Sequence, residues 1–394
     1  MVRDLSAKSD DSKRFASRLA LFYAALFIGF GLHQPFFPVW LKAKGLADGQ
    51  IGIVLAGGQL IRLIATPVVT YLADKAGILS YAIVICCCAT AVAFIGVGLA
   101  DSFTMILIGV VITGLVWSPL VPLVDAYGLA GVAKRTLDYG RIRVWGSIAF
   151  MVTNIVGGLA LTLVAPDWIV WMIWASMIPL VVASLMLVHD RRDRSVAPSG
   201  PGFFNQRFVL IMIAAALLQA SHAVYYGFAS IHWKALGYSG FTVGMLWAIA
   251  VLAEIAMFWL ATRFTRDWLI GGAGGLLRWV LMALDPPLWI NGPLQLLHAA
   301  GFGLVHLGTM SYLAARLPAH QRASGQGTVS VAIGGAMALS TLIAGYLYAR
   351  VGASAYLAMG SLCVAGLIVT AVARAMPVPR PAAPAQPQSE GVGG

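Results

Sequence analysis

Twelve apolar stretches, each close to the length that crosses a bilayer, follow one another along this chain of 394 residues. They run near 18–40, 50–73, 78–99, 103–131, 140–164, 168–188, 207–231, 241–262, 268–284, 290–314, 325–349 and 353–374. A helix needs about 20 predominantly apolar residues to span the hydrocarbon core. None of the stretches alternates apolar and polar residues as barrel strands would. The expectation is an all-α membrane protein with twelve transmembrane helices. Only 10% of residues are charged, against about 25% in an average soluble domain. So few charges cannot clothe a soluble surface, which excludes a cytosolic enzyme or a nucleic-acid binder despite the formal charge of +11.

The basic residues report orientation. With both termini cytoplasmic, nineteen of the 26 Lys and Arg fall on the cytoplasmic side and four (Lys42, Lys44, Lys234, Arg350) on the outer side. The other three (Arg62, Arg143, Arg278) lie inside spans. That is a positive-inside distribution, expected of a multi-pass protein of the cell (inner) membrane. The division it gives is a cytoplasmic tail (1–17), a six-helix bundle (18–188), a polar cytoplasmic linker (189–206), a second six-helix bundle (207–374) and a disordered tail (375–394) rich in Pro, Gln and Gly. No small-residue cleavage site follows the first apolar stretch, so that stretch is expected to be retained. Cys86, Cys87, Cys88 and Cys363 all sit in apolar stretches, with neither a disulfide framework nor zinc spacing. No cofactor and no metal is expected, and the protein is read as a monomer in the lipid bilayer.

The two halves repeat. A shift of 192 residues lays Leu41-Lys42-Ala43-Lys44-Gly45 on Trp233-Lys234-Ala235-Leu236-Gly237, Ile51-Gly52 on Val243-Gly244, and Arg62 on Glu254. Parallel repeats imply a pseudo-twofold axis along the membrane normal and a site between the halves at mid-depth, the layout of a secondary transporter.

Ionised side chains inside a bilayer are costly and normally face a partner or a cavity. This chain carries Arg62, Asp125, Arg143, Glu254 and Arg278 there. Asp125 and Arg143 are equidistant from Lys134 at a hairpin tip, so they share a depth and can pair. Glu254 and Arg278 are equidistant from Arg266, roughly 18 Å from that tip at 1.5 Å per residue. Arg278 and His298 are equidistant from Leu288, so Glu254, Arg278 and His298 form one candidate cluster. His298 and His306 lie about 12 Å apart along one helix and cannot share a metal. His33 and His222 either line the cavity or simply bond a backbone carbonyl. Aromatic residues, Trp117, Trp145, Phe150, Tyr225, Tyr226, Trp247 and Trp279, offer stacking faces or plain packing. Pro35, Pro38, Pro119, Pro122 and the tract 271–275 (GGAGG) mark points of irregular or closely packed helix.

The segment 71–77 (YLADKAG) resembles the gating loop of the major facilitator superfamily, which places Asp74 and Lys75 as gating residues. The likeness extends to the branch containing lactose permease and the phenylpropionate transporters. Segment 122–147 (PLVDAYG to GRIRVWGS) is similar to that branch's substrate region, with Asp125 on the helix-four acid, Arg143 on the second arginine and Phe150 on the stacking position. Segments 276–284 and 294–303 resemble its proton-coupling helices, with Arg278 and His298 in place. Gln295 and Gly301 stand where a lysine and the proton-carrying glutamate are usual. Segments 36–45, 247–258 and 297–306 look nearest to the phenylpropionate-type members, where Glu254 occupies the acid of helix eight. The resemblance implies the major facilitator fold and alternating-access transport of a small organic solute, an aromatic carboxylate or a sugar- or nucleoside-like molecule, by proton symport. Proton-coupled efflux by antiport is the alternative. The expected coupling residues are Glu254, Arg278, His298 and Asp125. Those expected at substrate are Asp125, Arg143, Phe150, Arg62, His306 and Trp247. Three intramembrane arginines against two carboxylates favour an anion by one charge.

Overall fold

The computed structural model describes residues 2–187, 205–260, 268–317 and 319–376, and the regular structure there is helical. In chain order the helices are α1 (Val2–Ala43), α2 (Asp48–Ala76), α3 (Leu79–Gly98), α4 (Phe103–Trp117), α5 (Leu120–Arg135), α6 (Tyr139–Leu163) and α7 (Ile169–Leu185). They continue with α8 (Gln206–Ala220), α9 (Ala223–Ala235), α10 (Gly240–Leu260), α11 (Trp268–Met282), α12 (Leu288–Leu294), α13 (Val305–Arg316), α14 (Ala319–Val351) and α15 (Ala355–Ala375). Every apolar stretch of the sequence falls on one or more of these helices. Among the described residues, nine helical stretches are long and apolar enough to cross a membrane, and α11 is a shorter apolar helix. The expected linker 189–206 and tail 375–394 lie almost wholly outside the described residues, as do Arg263 and Arg266.

Local chemistry sets the helix starts. Ser102, Asp138 and Asn205 accept from the backbone N–H three residues on, capping α4, α6 and α8. Residues 2–17, expected as a cytoplasmic tail, are helical and continuous with α1. Asp11 pairs with Arg135 Nε at 2.8 Å, and the Arg135 guanidinium lies 4.4 Å from the Phe15 ring, so the end of α5 holds that extension. Pro35 and Pro38 do not interrupt α1, nor do the glycines of 271–275 interrupt α11. Pro119 does mark a break, between α4 and α5. Two further breaks differ in signal: the first has no proline or glycine, whereas the second follows Gly292-Pro293 and contains Gly301 and Gly303. Residues 221–222 separate α8 from α9, and α12 passes through a 3₁₀ turn (Gln295–Leu297) and a π-turn (Ala299–Leu304) before α13.

The 192-residue repeat is visible in backbone geometry. After α1, the N–H groups of Lys44, Gly45 and Leu46 donate to Trp40, Lys42 and Leu41; after α9, those of Leu236, Gly237 and Tyr238 donate to His232, Lys234 and Trp233. Each pair differs by 192. Gly45 and Gly237 both hold left-handed conformations, φ +83° and +84°, which glycine adopts at no steric cost. The starts of α2 and α10 also cross partners in the same way. A Cβ on Gly52 would lie 2.9 Å from Gly345 Cα of α14, and one on Gly244 would lie 2.1 Å from Asn154 O of α6. Gly158 and Gly240 extend the second crossing, again with backbone against backbone. Both contacts lie at the helix ends remote from the start of α1.

Candidate functional site

α11 carries Arg278 into the interior, where it is 0% exposed. Such a charge persists only if its donors are used and an anion answers it. Its Nη2 donates to Gln295 Oε1, and Gln295 is held in turn through Nε2 by Asn291 O at 3.1 Å and Asn291 Oδ1 at 2.8 Å. Nη1 donates to His298 Nδ1 at 2.8 Å. A guanidinium has no acceptor, so Nδ1 must be the lone-pair nitrogen and the imidazole hydrogen sits on Nε2. That hydrogen points at Glu254 Oε1, 2.7 Å away. The chain Arg278–His298–Glu254 therefore joins a buried cation to a carboxylate through one neutral imidazole of fixed tautomer. Glu254 is the end of the chain that meets solvent, at 18% side-chain exposure against 6% for His298. The rings of Tyr225 and Trp279 cover the guanidinium at 4.2 and 4.8 Å.

The depth argument from the hairpins thus brings together the three residues it selected, with His298 between the two charges. His306 stacks its ring parallel to Phe302 one turn away and makes no hydrogen bond to the chain. Trp247 is buried, spends its N–H on Ser230 Oγ at 2.9 Å and packs on Tyr225 at 4.6 Å. His222 lies inside the same aromatic cluster, whereas His33 is held among Phe37, Phe94 and Trp117.

A second polar cluster stands on α1, α5 and α6. Asp125 Oδ1 accepts from Tyr23 Oη at 2.7 Å and Tyr139 Oη at 2.9 Å. Arg143 Nε is 3.8 Å from the same oxygen, so the expected pair is a loose one. Two hydroxyls already answer the carboxylate, and the guanidinium lies over Phe27 at 4.3 Å and Tyr23 at 5.0 Å. Arg143 and Asp125 keep 28% and 35% side-chain exposure. Asp125 makes no hydrogen bond or ion pair with the Glu254 cluster. Phe150 is half-buried on α6, seven residues beyond Arg143. Arg62 is exposed on α2, and at 100° per residue it lies within roughly 40° of Leu55 and Thr66. Leu55 approaches Gly227 of α9, and Thr66 bonds Ser118, so Arg62 points to the side of α2 that faces other helices. Asp74 and Lys75 are exposed in the last turn of α2, and no ion pair joins either to another described residue; Lys75 lies over Tyr71.

Sequence reasoning did not select Tyr23, Tyr139 or the anchoring roles of Gln295 and Asn291. Tyr139 was within reach, because it precedes Arg143 by four residues on one helical face. Tyr23 carries no such signal, since its partner is 102 residues away.

The model of the MFS_1 like family matches residues 16–358. The "Probable 3-phenylpropionic acid transporter" of Escherichia coli (strain K12) is 31% identical over 376 residues, covering 89% of this chain and 96% of that protein. The maltose permease of Geobacillus stearothermophilus is 26% identical over 375 residues, covering 89% and 92%. In fold, the crystal structure of the nucleoside transporter NupG is similar, with a TM-score of 0.80 at 16% identity over 92% of this chain and all of that one.

Proposed function

From the premise that the chain belongs to the MFS_1 like family, and so is a membrane transporter of small solutes and not an enzyme, we propose that it is a proton symporter of an aromatic carboxylate. The helices are assigned to twelve spans in two six-helix halves: α1 to α7 form the first, with α4 and α5 as one span. α8 to α15 form the second, with α8–α9 and α12–α13 each one interrupted span. The repeated turn at Gly45 and Gly237 supports this pairing. Both termini are placed in the cytoplasm by the basic residues, which puts the glycine crossings of α2 with α14 and α6 with α10 on the outer side. The chain is then closed outward and open inward, consistent with the exposure that Arg62, Asp125 and Arg143 retain.

The observation that carries the coupling is the Arg278–His298–Glu254 chain. Glu254 is its terminal acid, and the partners that hold the carboxylate sit on other helices. A rearrangement that separates α10 from the His298 segment removes the hydrogen bond to the carboxylate and so changes its affinity for a proton. Substrate charge is read from the first half. Asp125 is answered by two tyrosines, which leaves Arg143 to meet a carboxylate. The printed name of the relative at 31% identity points to the same class. Phe27, Tyr23 and Phe150 supply aromatic faces near Arg143.

Proteoliposomes test the reading, with radiolabelled 3-phenylpropionate and an imposed proton gradient. The wild-type protein is expected to accumulate solute in the direction of proton flow. Glu254→Gln is expected to retain solute exchange and lose accumulation. Normal accumulation by Glu254→Gln rejects Glu254 as the coupling group, and solute movement against the proton flow makes the protein an antiporter.

A further inference from the structure

A helix that stops for two residues inside a buried bundle frees backbone groups that neighbours must satisfy. At the break between α8 and α9 the neighbours are three. Ser340 Oγ of α14 donates to Ala220 O at 2.9 Å, and Gln219 Nε2 donates across to Phe302 O of the π-turn at 3.2 Å. Trp279 Nε1 of α11 donates to Ser221 Oγ at 3.1 Å. This frame positions His222, which is 1% exposed. Its Nδ1 lies 3.1 Å from Gln219 O. A carbonyl oxygen only accepts, so Nδ1 holds the hydrogen and Nε2 is a bare lone pair. That Nε2 is buried without a hydrogen-bond partner among the described residues.

The lone pair faces Gly301 of the π-turn. A Cβ on Gly301 would lie 3.5 Å from His222 Nε2 and 3.2 Å from Gly275 Cα. The α11 backbone therefore resists any side chain at position 301, and the imidazole reaches the π-turn in its place. Single π-turns concentrate at functional positions. The His222 ring centroid is 5.2 Å from that of His298, and Trp279, Tyr226 and Phe302 complete the surround. An unpartnered base thus stands one ring away from the Arg278–His298–Glu254 chain.

We propose that His222 is a second proton-binding group of this cluster. The Nε2 lone pair takes a proton from water, forming an N–H bond while Nδ1–H stays on Gln219 O, and returns that proton to water on release. The groups around it are Arg278 and Trp279 from α11, His298 beside the π-turn with Glu254 of α10 beyond it, and the Tyr225 and Tyr226 hydroxyls of α9. Cys363 of α15 and Ser340 of α14 close the remaining sides. A proton here sets a second positive charge beside Arg278, so it is held only while Glu254 is ionised. Imidazole and carboxylate are then two stations for one proton. Its use in transport rests on the symport reading above; its existence does not.

Nitrogen NMR of the purified full-length protein with labelled imidazoles, titrated from alkaline to acidic pH, decides it. The signal absent from His222→Gln identifies the residue, and Gly301→Ala, which keeps the imidazole but crowds Gly275, identifies it independently by displacement. At alkaline pH that signal is expected to show a protonated Nδ1 and a bare Nε2. On acidification both nitrogens should become protonated over the range in which Glu254 is still ionised, and Glu254→Gln should lose this transition. A signal that keeps its bare Nε2 until the protein unfolds overturns the proposal, as does one with its hydrogen on Nε2 at every pH. If His222 titrates as described while wild-type solute moves against the proton flow, the symport reading fails and the proton site stands.

Discussion

Arg278 shows how one side chain dictates its neighbours. A guanidinium at 0% exposure needs acceptors in a plane, and the interior supplies Gln295 Oε1 and His298 Nδ1 with the Tyr225 and Trp279 rings beside it. Arg278→Lys keeps the charge but loses the planar fork, so one of the two acceptors is left unpaired. That costs about 1–3 kcal/mol, and the variant should unfold at a measurably lower temperature in detergent; an unchanged Tm contradicts the assigned bonds. In the other half, Tyr139→Phe removes one of the two hydroxyls on Asp125. The freed oxygen draws Arg143 closer and takes it from the solute. Binding of 3-phenylpropionate, followed by thermal shift, should weaken by about tenfold, the equivalent of one hydrogen bond to a charged group. Equal affinity would mean that Arg143 does not meet the carboxylate.

Among elements, the informative contrast is between breaks and glycines. Proline marks the α4–α5 break, but α1 runs unbroken through two prolines. The tract 271–275 is continuous helix, and its glycines serve contact: Gly271 approaches Ala300 O and Gly275 approaches Gly301. The irregular segment is instead the neighbour, from Gln295 to Leu304. The crossing of α6 and α10 depends on glycine in the same way, since any Cβ at Gly244 meets Asn154 O. Gly244→Leu overpacks that crossing by about 2 kcal/mol, some thirtyfold in population. The variant should be arrested with its outer ends apart, so that a thiol placed at the buried Val243 labels rapidly from outside. Labelling as slow as in the Val243→Cys protein alone would show that the crossing does not close the outer side.

For the molecule as a whole, two symmetric crossings and two polar clusters divide the work. The crossings hold one set of helix ends together, and the clusters lie away from them. Thr341 Oγ1 of α14 donates to Gln59 Oε1 of α2 at 3.2 Å, so Gln59→Cys with Thr341→Cys, in a chain whose four cysteines are replaced, should stop solute movement when joined by a short cleavable thiol cross-linker and recover when the link is cleaved. Transport by the cross-linked protein at the uncross-linked rate would refute alternating access through this opening.

Much of this was legible along the chain. The apolar stretches follow from the bilayer's thickness, and the 192-residue shift is a covariant of sequence and turn geometry. The grouping of Glu254, Arg278 and His298 follows from counting residues either side of a hairpin tip, because helical rise is constant. What required the folded chain was rotation and contact. Depth says which residues are level, whereas the tautomer of His298, the loose Arg143–Asp125 distance and the tyrosines that replace that pairing depend on which face each helix turns inward. The bare nitrogen of His222 depends on a break framed by contacts to three other segments, Ser340 to Ala220 O, Gln219 to Phe302 O and Trp279 to Ser221. No periodicity along one segment encodes partners that are supplied from elsewhere in the fold.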